Sequence, residues 1–216
     1  MLRKLSTIAI LLIGTSAFAQ VHLGYGLGVN VSHSFLQLTK VKVAPKKELL
    51  LPIELGKTSM LDLSLRYSEY GYKDVKDSLV FDNVSYDLTA MEVGIVYKQF
   101  LGGRRAKTRP YYGGGLKLGY LLNAKQSVYY DSTSTESSFF YDFGHQNDWE
   151  EVNRIRLGLI AETGLAIKMG KTTTLNLGIS YDYDFQDLFT DPEEQFPEDN
   201  AGLGIITLNS RIIFRL

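Results

Sequence analysis

Residues 21–32, VHLGYGLGVNVS, alternate without a break: every odd position is aliphatic or aromatic and every even one is His, Gly, Asn or Ser. Successive strand side chains point to opposite faces, so this segment is a strand with one apolar face and one small, polar face. The pattern returns along the chain and predicts eight strands, over residues 21–35, 49–56, 59–72, 84–100, 110–123, 152–168, 173–186 and 202–216. One face of each is apolar: Leu61/Leu63/Leu65/Tyr67, Met91/Val93/Ile95/Tyr97, Leu116/Leu118/Tyr120/Leu122, Ile155/Leu157/Leu159/Ala161/Leu165/Ile167, Leu175/Leu177/Ile179/Tyr181/Tyr183 and Ile206/Leu208/Ile212/Phe214/Leu216. None of these positions carries a charge. The other face holds Gly24, Gly26, Gly28, Gly94, Gly113, Gly115, Gly119, Gly158, Gly164 and Gly178, with charged residues between them.

Apolar positions outside and glycine with charge inside describe an eight-stranded, antiparallel, up-and-down transmembrane β-barrel. A barrel of this size is only wide enough inside for side chains, and glycine on one wall leaves room for a long charged chain from another. A soluble, lipocalin-like barrel would need the reverse arrangement, with many Lys and Glu on the polar face. The connections agree with the membrane reading. Those after strands two, four and six are short and those after the odd strands are longer, which matches short periplasmic turns and long outer loops. An even strand count then places both termini in the periplasm. Val84, Tyr86 and Leu88 run out of phase with Met91–Tyr97, and a bulge near Thr89–Ala90 or the membrane boundary accounts for that slip.

Composition adds the route to the membrane. Residues 1–19 read as an export signal: Arg3 and Lys4, an apolar centre over residues 8–13, and Ala17-Phe18-Ala19 before Gln20. The apolar run is too short to span a bilayer, which takes about 20 residues. Residues 20–216 form the barrel domain, and the expected location is the bacterial outer membrane. With no Cys the chain has neither a lipid-modified cysteine nor a disulfide framework. Without Arg3 and Lys4, 21 basic residues face 24 acidic ones, so nothing points to nucleic acid. The 14 Tyr suit a membrane–water interface.

The stretches SLRYSEYGYK at residues 64–73 and RPYYGGGLKLGYLLNAK at residues 109–125 resemble the outer-membrane β-barrel domain family that includes the PorT proteins of the type IX secretion system, in barrels of OmpA or OmpX size. The similarity runs loosely over residues 20–216. It implies the barrel fold, and for a PorT-like member an accessory role in a secretion machine with a protein partner. The closing set Leu208/Ile212/Phe214/Leu216 also resembles the terminal signal read by the barrel-assembly machinery, although Phe214 lies two residues short of the end.

Four inward-phase charges, Arg66, Glu92, Lys117 and Glu162, fall seven or eight residues above the short turns of strands three to six. They predict a ring of alternating charge near mid-barrel, which either plugs the lumen or lines an ion path. The short turn at Gly170-Lys171 brings Arg154 and Arg156 opposite Asp182 and Asp184, as cross-strand pairs at the outer rim worth up to ~1 kcal/mol each. The third long loop contains the aromatic runs Val128-Tyr129-Tyr130 and Phe139-Phe140-Tyr141 around a Ser/Thr-rich turn. A hairpin projecting beyond the membrane is expected there, its aromatics either a contact surface or an interfacial belt. The first loop, with Lys40, Lys42, Lys46 and Lys47, is basic and suits lipid phosphate. The fourth, with Asp187, Asp191, Glu193, Glu194, Glu198 and Asp199, is acidic but lacks the ordered Ca²⁺-loop pattern.

His22, His33 and His145 have no evident orienting partner for a Ser–His pair, and Gly24-x-Gly-x-Gly28 opens no helix. No catalytic residue, metal or cofactor is expected. The expected role is non-enzymatic: a structural or adhesive barrel presenting its outer loops, with a narrow channel or a secretion-machine accessory as alternatives. Expected partners are outer-membrane lipid and lipopolysaccharide, the assembly machinery during insertion, and an extracellular or secretion-machine protein.

Overall fold

A computed structural model describes residues 20–34, 42–74, 83–103, 105–129, 139–142, 153–185 and 203–216. The strands are β1 (Gln20–Ser34), β2 (Lys42–Glu54), β3 (Ser59–Asp74), β4 (Asn83–Phe100), β5 (Thr108–Tyr129), β6 (Phe139–Asp142), β7 (Ile155–Lys168), β8 (Thr173–Asp184) and β9 (Leu203–Arg215). All pair antiparallel. β1 to β5 and β7 to β9 form an eight-stranded ring, closed by β1 against β9 and by β5 against both β4 and β7. Closure leaves none of these eight strands with a free edge along the wall. The short β6 is not part of the ring; it pairs with the outer extension of β5.

Residue alternation decides which side chains meet the lumen. On β7 and β2 the exposure alternates residue by residue, and the outward set is mostly apolar, with Lys47 of β2 its charged member. Leu23, Leu27, Leu116, Leu118, Leu159, Ile179, Leu208 and Ile212 all face outward with two-fifths or more of their surface exposed. A continuous apolar exterior of this extent matches hydrocarbon and not water.

The turns at one end are tight. Leu55 N–H donates to Ser59 O at 3.1 Å, and Met169 N–H to Thr173 O at 3.0 Å. After β4, Gly102 adopts φ +85°, a conformation that disfavours a side chain. At the other end the wall is uneven. β5 leaves its pairing with β7 at Tyr120 and runs on to Tyr129, flanked by β4 and then β6. At about 3.3 Å per residue β5 runs on roughly 30 Å along its own direction beyond the start of β7.

Two sequence expectations need correction. β2 starts at Lys42 and not at residue 49, so Lys42, Lys46 and Lys47 belong to a strand and not to a basic loop. Pro45 and Lys47 on its outer face interrupt the apolar alternation and hid it. The slip opposite Thr89/Ala90 is present, but its extra residue is Leu122 of β5: Thr89 faces Asn123 while Ala90 faces Leu121. β4 keeps its phase, so Leu88 and Ala90 point inward with Glu92 and form an apolar inner layer with Tyr70, Leu121 and Ala124. At the short-turn end Phe100, Tyr111 and Ala166 make a second small cluster, with Met60 packed on it.

Candidate functional site

Between those apolar layers the lumen holds, among the described residues, twelve charged side chains, none more than 4% exposed. Six are basic (Lys46, Arg66, Lys98, Lys117, Arg156, Arg211) and six acidic (Glu48, Asp62, Glu92, Glu162, Asp182, Asp184), so the enclosed charge is balanced. Burying an ion is costly unless it is paired and hydrogen-bonded, and the contacts pair every one of these charges but Lys46.

The larger group is continuous from wall to wall. Lys98 Nζ lies 2.6 Å from Asp62 and 3.0 Å from Glu162. Glu162 also accepts a hydrogen bond from Tyr111 Oη at 2.8 Å and pairs with Arg211. Arg211 pairs in turn with Glu48, which sits 3.6 Å from Arg66. Arg66 then reaches across the lumen to Asp182 at 3.3 Å and donates to Ser64 Oγ at 2.9 Å. A smaller group lies beside it: Lys117 is 2.7 Å from Asp184 and 3.4 Å from Glu92, Arg156 holds Asp184 at 2.8 Å, and Ser68 Oγ donates to Glu92 at 3.1 Å. Lys46 Nζ is buried with no hydrogen-bond partner among the described residues.

Register explains how so many long side chains fit. Gly26 lies between Glu48 and Arg211, Gly119 between Glu92 and Arg156, Gly113 between Lys98 and Glu162, and Gly158 between Lys117 and Asp184. A Cβ on Gly26 would sit 2.6 Å from Glu48 Cγ and 2.9 Å from Arg211 Cγ, and one on Gly158 would sit 2.9 Å from Lys117 Cε. The inner glycines are thus the volume into which neighbouring charged chains fold.

The structure places the four expected ring residues in the lumen but not in one ring. Arg66 and Glu92 share a row, yet Arg66 turns to Glu48 and Asp182. Lys117 joins Glu92, whereas Glu162 belongs to the other group, with Lys98 and Arg211. Counting residues from the turns ignores the stagger of hydrogen-bonded rows that closing a barrel imposes. The expected rim set also divides. Arg156, Asp182 and Asp184 are buried in the lumen, and Asp182 pairs with Arg66. Arg154 is exposed, with its guanidinium 3.4 Å from Tyr120 Oη. Glu48, Asp62, Lys98 and Arg211 were not singled out from sequence. The inward phase of β3, β4 and β9 already marked Asp62, Lys98 and Arg211, while Glu48 was lost with the start of β2.

Because Lys117 keeps Asp184 when Glu92 is neutralised, Glu92→Gln is expected to cost only about 1–2 kcal/mol of stability in a micellar urea titration. A cost equal to that of removing Arg66 would mean that Glu92 carries more of the network than its contacts show.

The expected outer hairpin is seen in the backbone: Lys125 pairs with Asp142, Gln126 with Tyr141, Ser127 with Phe140 and Val128 with Phe139. Tyr129 ends β5 opposite Asn83. Tyr130, Lys40, His145 and the acidic residues 187–199 lie outside the described residues. His22 is buried at the short-turn end, with Nε2 3.3 Å from Glu54.

No family model matches the chain, and no curated protein matches it. Among solved structures it is similar to Neisserial surface protein A at 16% identity, with 92% of this chain and 99% of that one covered and a TM-score of 0.53. It is also similar to a major outer membrane protein from Thermus thermophilus at 9% identity, with 91% and 99% covered and a TM-score of 0.55. At these identities the likeness is one of fold: a closed, eight-stranded barrel of the outer-membrane type.

Proposed function

We propose that this chain is a non-enzymatic integral barrel of the bacterial outer membrane whose closed lumen is a rigid support for its outer loops. The observation that carries this reading is the balanced set of buried charges tied across the lumen from Asp62 through Lys98, Glu162, Arg211, Glu48 and Arg66 to Asp182. A chain of ion pairs that reaches from wall to wall fills the width through which water would pass. The apolar exterior supports a membrane location, with lipid and lipopolysaccharide against it and the assembly machinery engaged during insertion. The blade formed by β3 to β6 supports the outer end as the working surface, structural or adhesive, because function tends to reside on loops held by a rigid scaffold.

Conductance in a planar bilayer tests the closed lumen. A barrel that shows the unheated-versus-heated mobility shift of a folded state is expected to insert without discrete current steps. Steady unitary conductance altered by Glu92→Gln would overturn the reading and make the lumen an ion path.

A further inference from the structure

A cavity of about 350 Å³ opens at the short-turn mouth of the barrel, away from the lumen network. Its size is that of a site for a small ligand. The rim carries four cations, Arg109, Lys168, Lys171 and Arg215, against one carboxylate, Glu54. Four cations against one carboxylate leave the charge of this lining positive. Arg109 is fixed there: its guanidinium lies 4.6 Å from the Phe100 ring centroid and donates to Lys57 O at 3.2 Å. The floor is apolar, formed by Phe100, Ala166 and Ile213, each 4–6% exposed.

Asn176 makes the cavity more than a basic hollow. It lines the same space, is 1% exposed, and neither Nδ2 nor Oδ1 has a hydrogen-bond partner among the described residues. A buried amide left with both its donor and its acceptor unsatisfied is costly, so native structures normally provide a partner. Another amide satisfies both at once, offering one N–H and one C=O. A fully ionised phosphate offers only acceptors and would leave Oδ1 facing oxygen.

We infer that this mouth binds the carboxy-terminal end of a peptide whose last side chain is apolar. The carboxylate meets the rim cations by charge-assisted hydrogen bonds. The last peptide group pairs with the Asn176 amide, and the side chain rests on Phe100, Ala166 and Ile213. This site is independent of whether the lumen conducts, and under the orientation proposed above it faces the periplasm.

The test uses the protein purified from membranes in detergent micelles and an amino-terminally fluorescein-labelled Ala-Ala-Phe, as the free acid and as the carboxy-terminal amide. Anisotropy is expected to show saturable binding of the acid and about tenfold weaker binding of the amide, the loss of one charge-assisted contact. Asn176→Ser is expected to weaken the acid's binding by about the same factor. Lys171→Gln lies on an exposed turn, where folding is not at stake, and is expected to weaken it by about threefold. Equal binding of acid and amide, no binding of either, or acid binding that both variants leave unchanged would each overturn the assignment.

Discussion

Replacing Arg211 with alanine is expected to lower the barrel's stability by about 3–5 kcal/mol, the usual cost of removing one partner from a buried ion pair. Arg211 is the joint of the larger network, holding Glu48 from β2 and Glu162 from β7 at once. Its loss leaves two carboxylates, neither more than 4% exposed, on opposite walls with weaker compensation. Lys98 still serves Glu162 at 3.0 Å, whereas the ion pair Glu48 retains among the described residues is the longer one to Arg66 at 3.6 Å. The urea midpoint in micelles, followed by circular dichroism and by the unheated electrophoretic band, reads the loss. A double change, Arg211→Met with Glu48→Gln, is expected to recover part of it, because one buried cation and one buried anion are then removed together while Glu162 keeps Lys98 at 3.0 Å. A midpoint unmoved by Arg211→Ala would mean that water enters the lumen and solvates the carboxylates, and the closed reading would fall with it.

The second large effect separates two adjacent glycines. Gly115→Val is expected to cost about 3 kcal/mol or more, or to abolish the folded band, because overpacking a filled interior forces the backbone apart. A Cβ at Gly115 would collide with the backbone of the neighbouring strand, lying 2.7 Å from Val96 Cα. Gly114 is one residue away on the outer face, where the nearest atom to an added Cβ is Ile160 O at 3.7 Å. Gly114→Val is therefore expected to be neutral or mildly stabilising, since strands favour a β-branched residue over glycine. Parallel refolding of the two variants settles the matter. Equal behaviour would mean that the close approach of β4 to β5 at this point is wrong.

Both predictions draw on positions whose phase was legible in the sequence and whose neighbours were not. The alternation in residues 21–32 already assigned Gly26 to the inner face. Only the pairing of β1 with β2 and β9 placed Glu48 and Arg211 in the space it leaves. Likewise Arg66, Glu92, Lys117 and Glu162 were recognisable as inward charges, and the expectation of a single ring failed on geometry. Hydrogen-bonded rows climb around a staggered barrel, so equal distance from the turns does not mean equal height. β2 was foreshortened for a local reason: Pro45 and Lys47 on its outer face break the two-residue period that reveals a strand.

The sequence alone determined the eight-stranded antiparallel barrel, which face of each strand meets lipid, and which face supplies the glycines and charges. These are local properties, since a strand's two faces are fixed by alternation within a few residues. The tertiary structure decided which charge meets which, that Arg66 answers Asp182 across the lumen, and that Asn176 is left facing a cationic mouth. Those contacts join residues as many as 163 positions apart, as in Arg211 to Glu48. Their partners are set by strand register and barrel closure, and no local pattern carries that information.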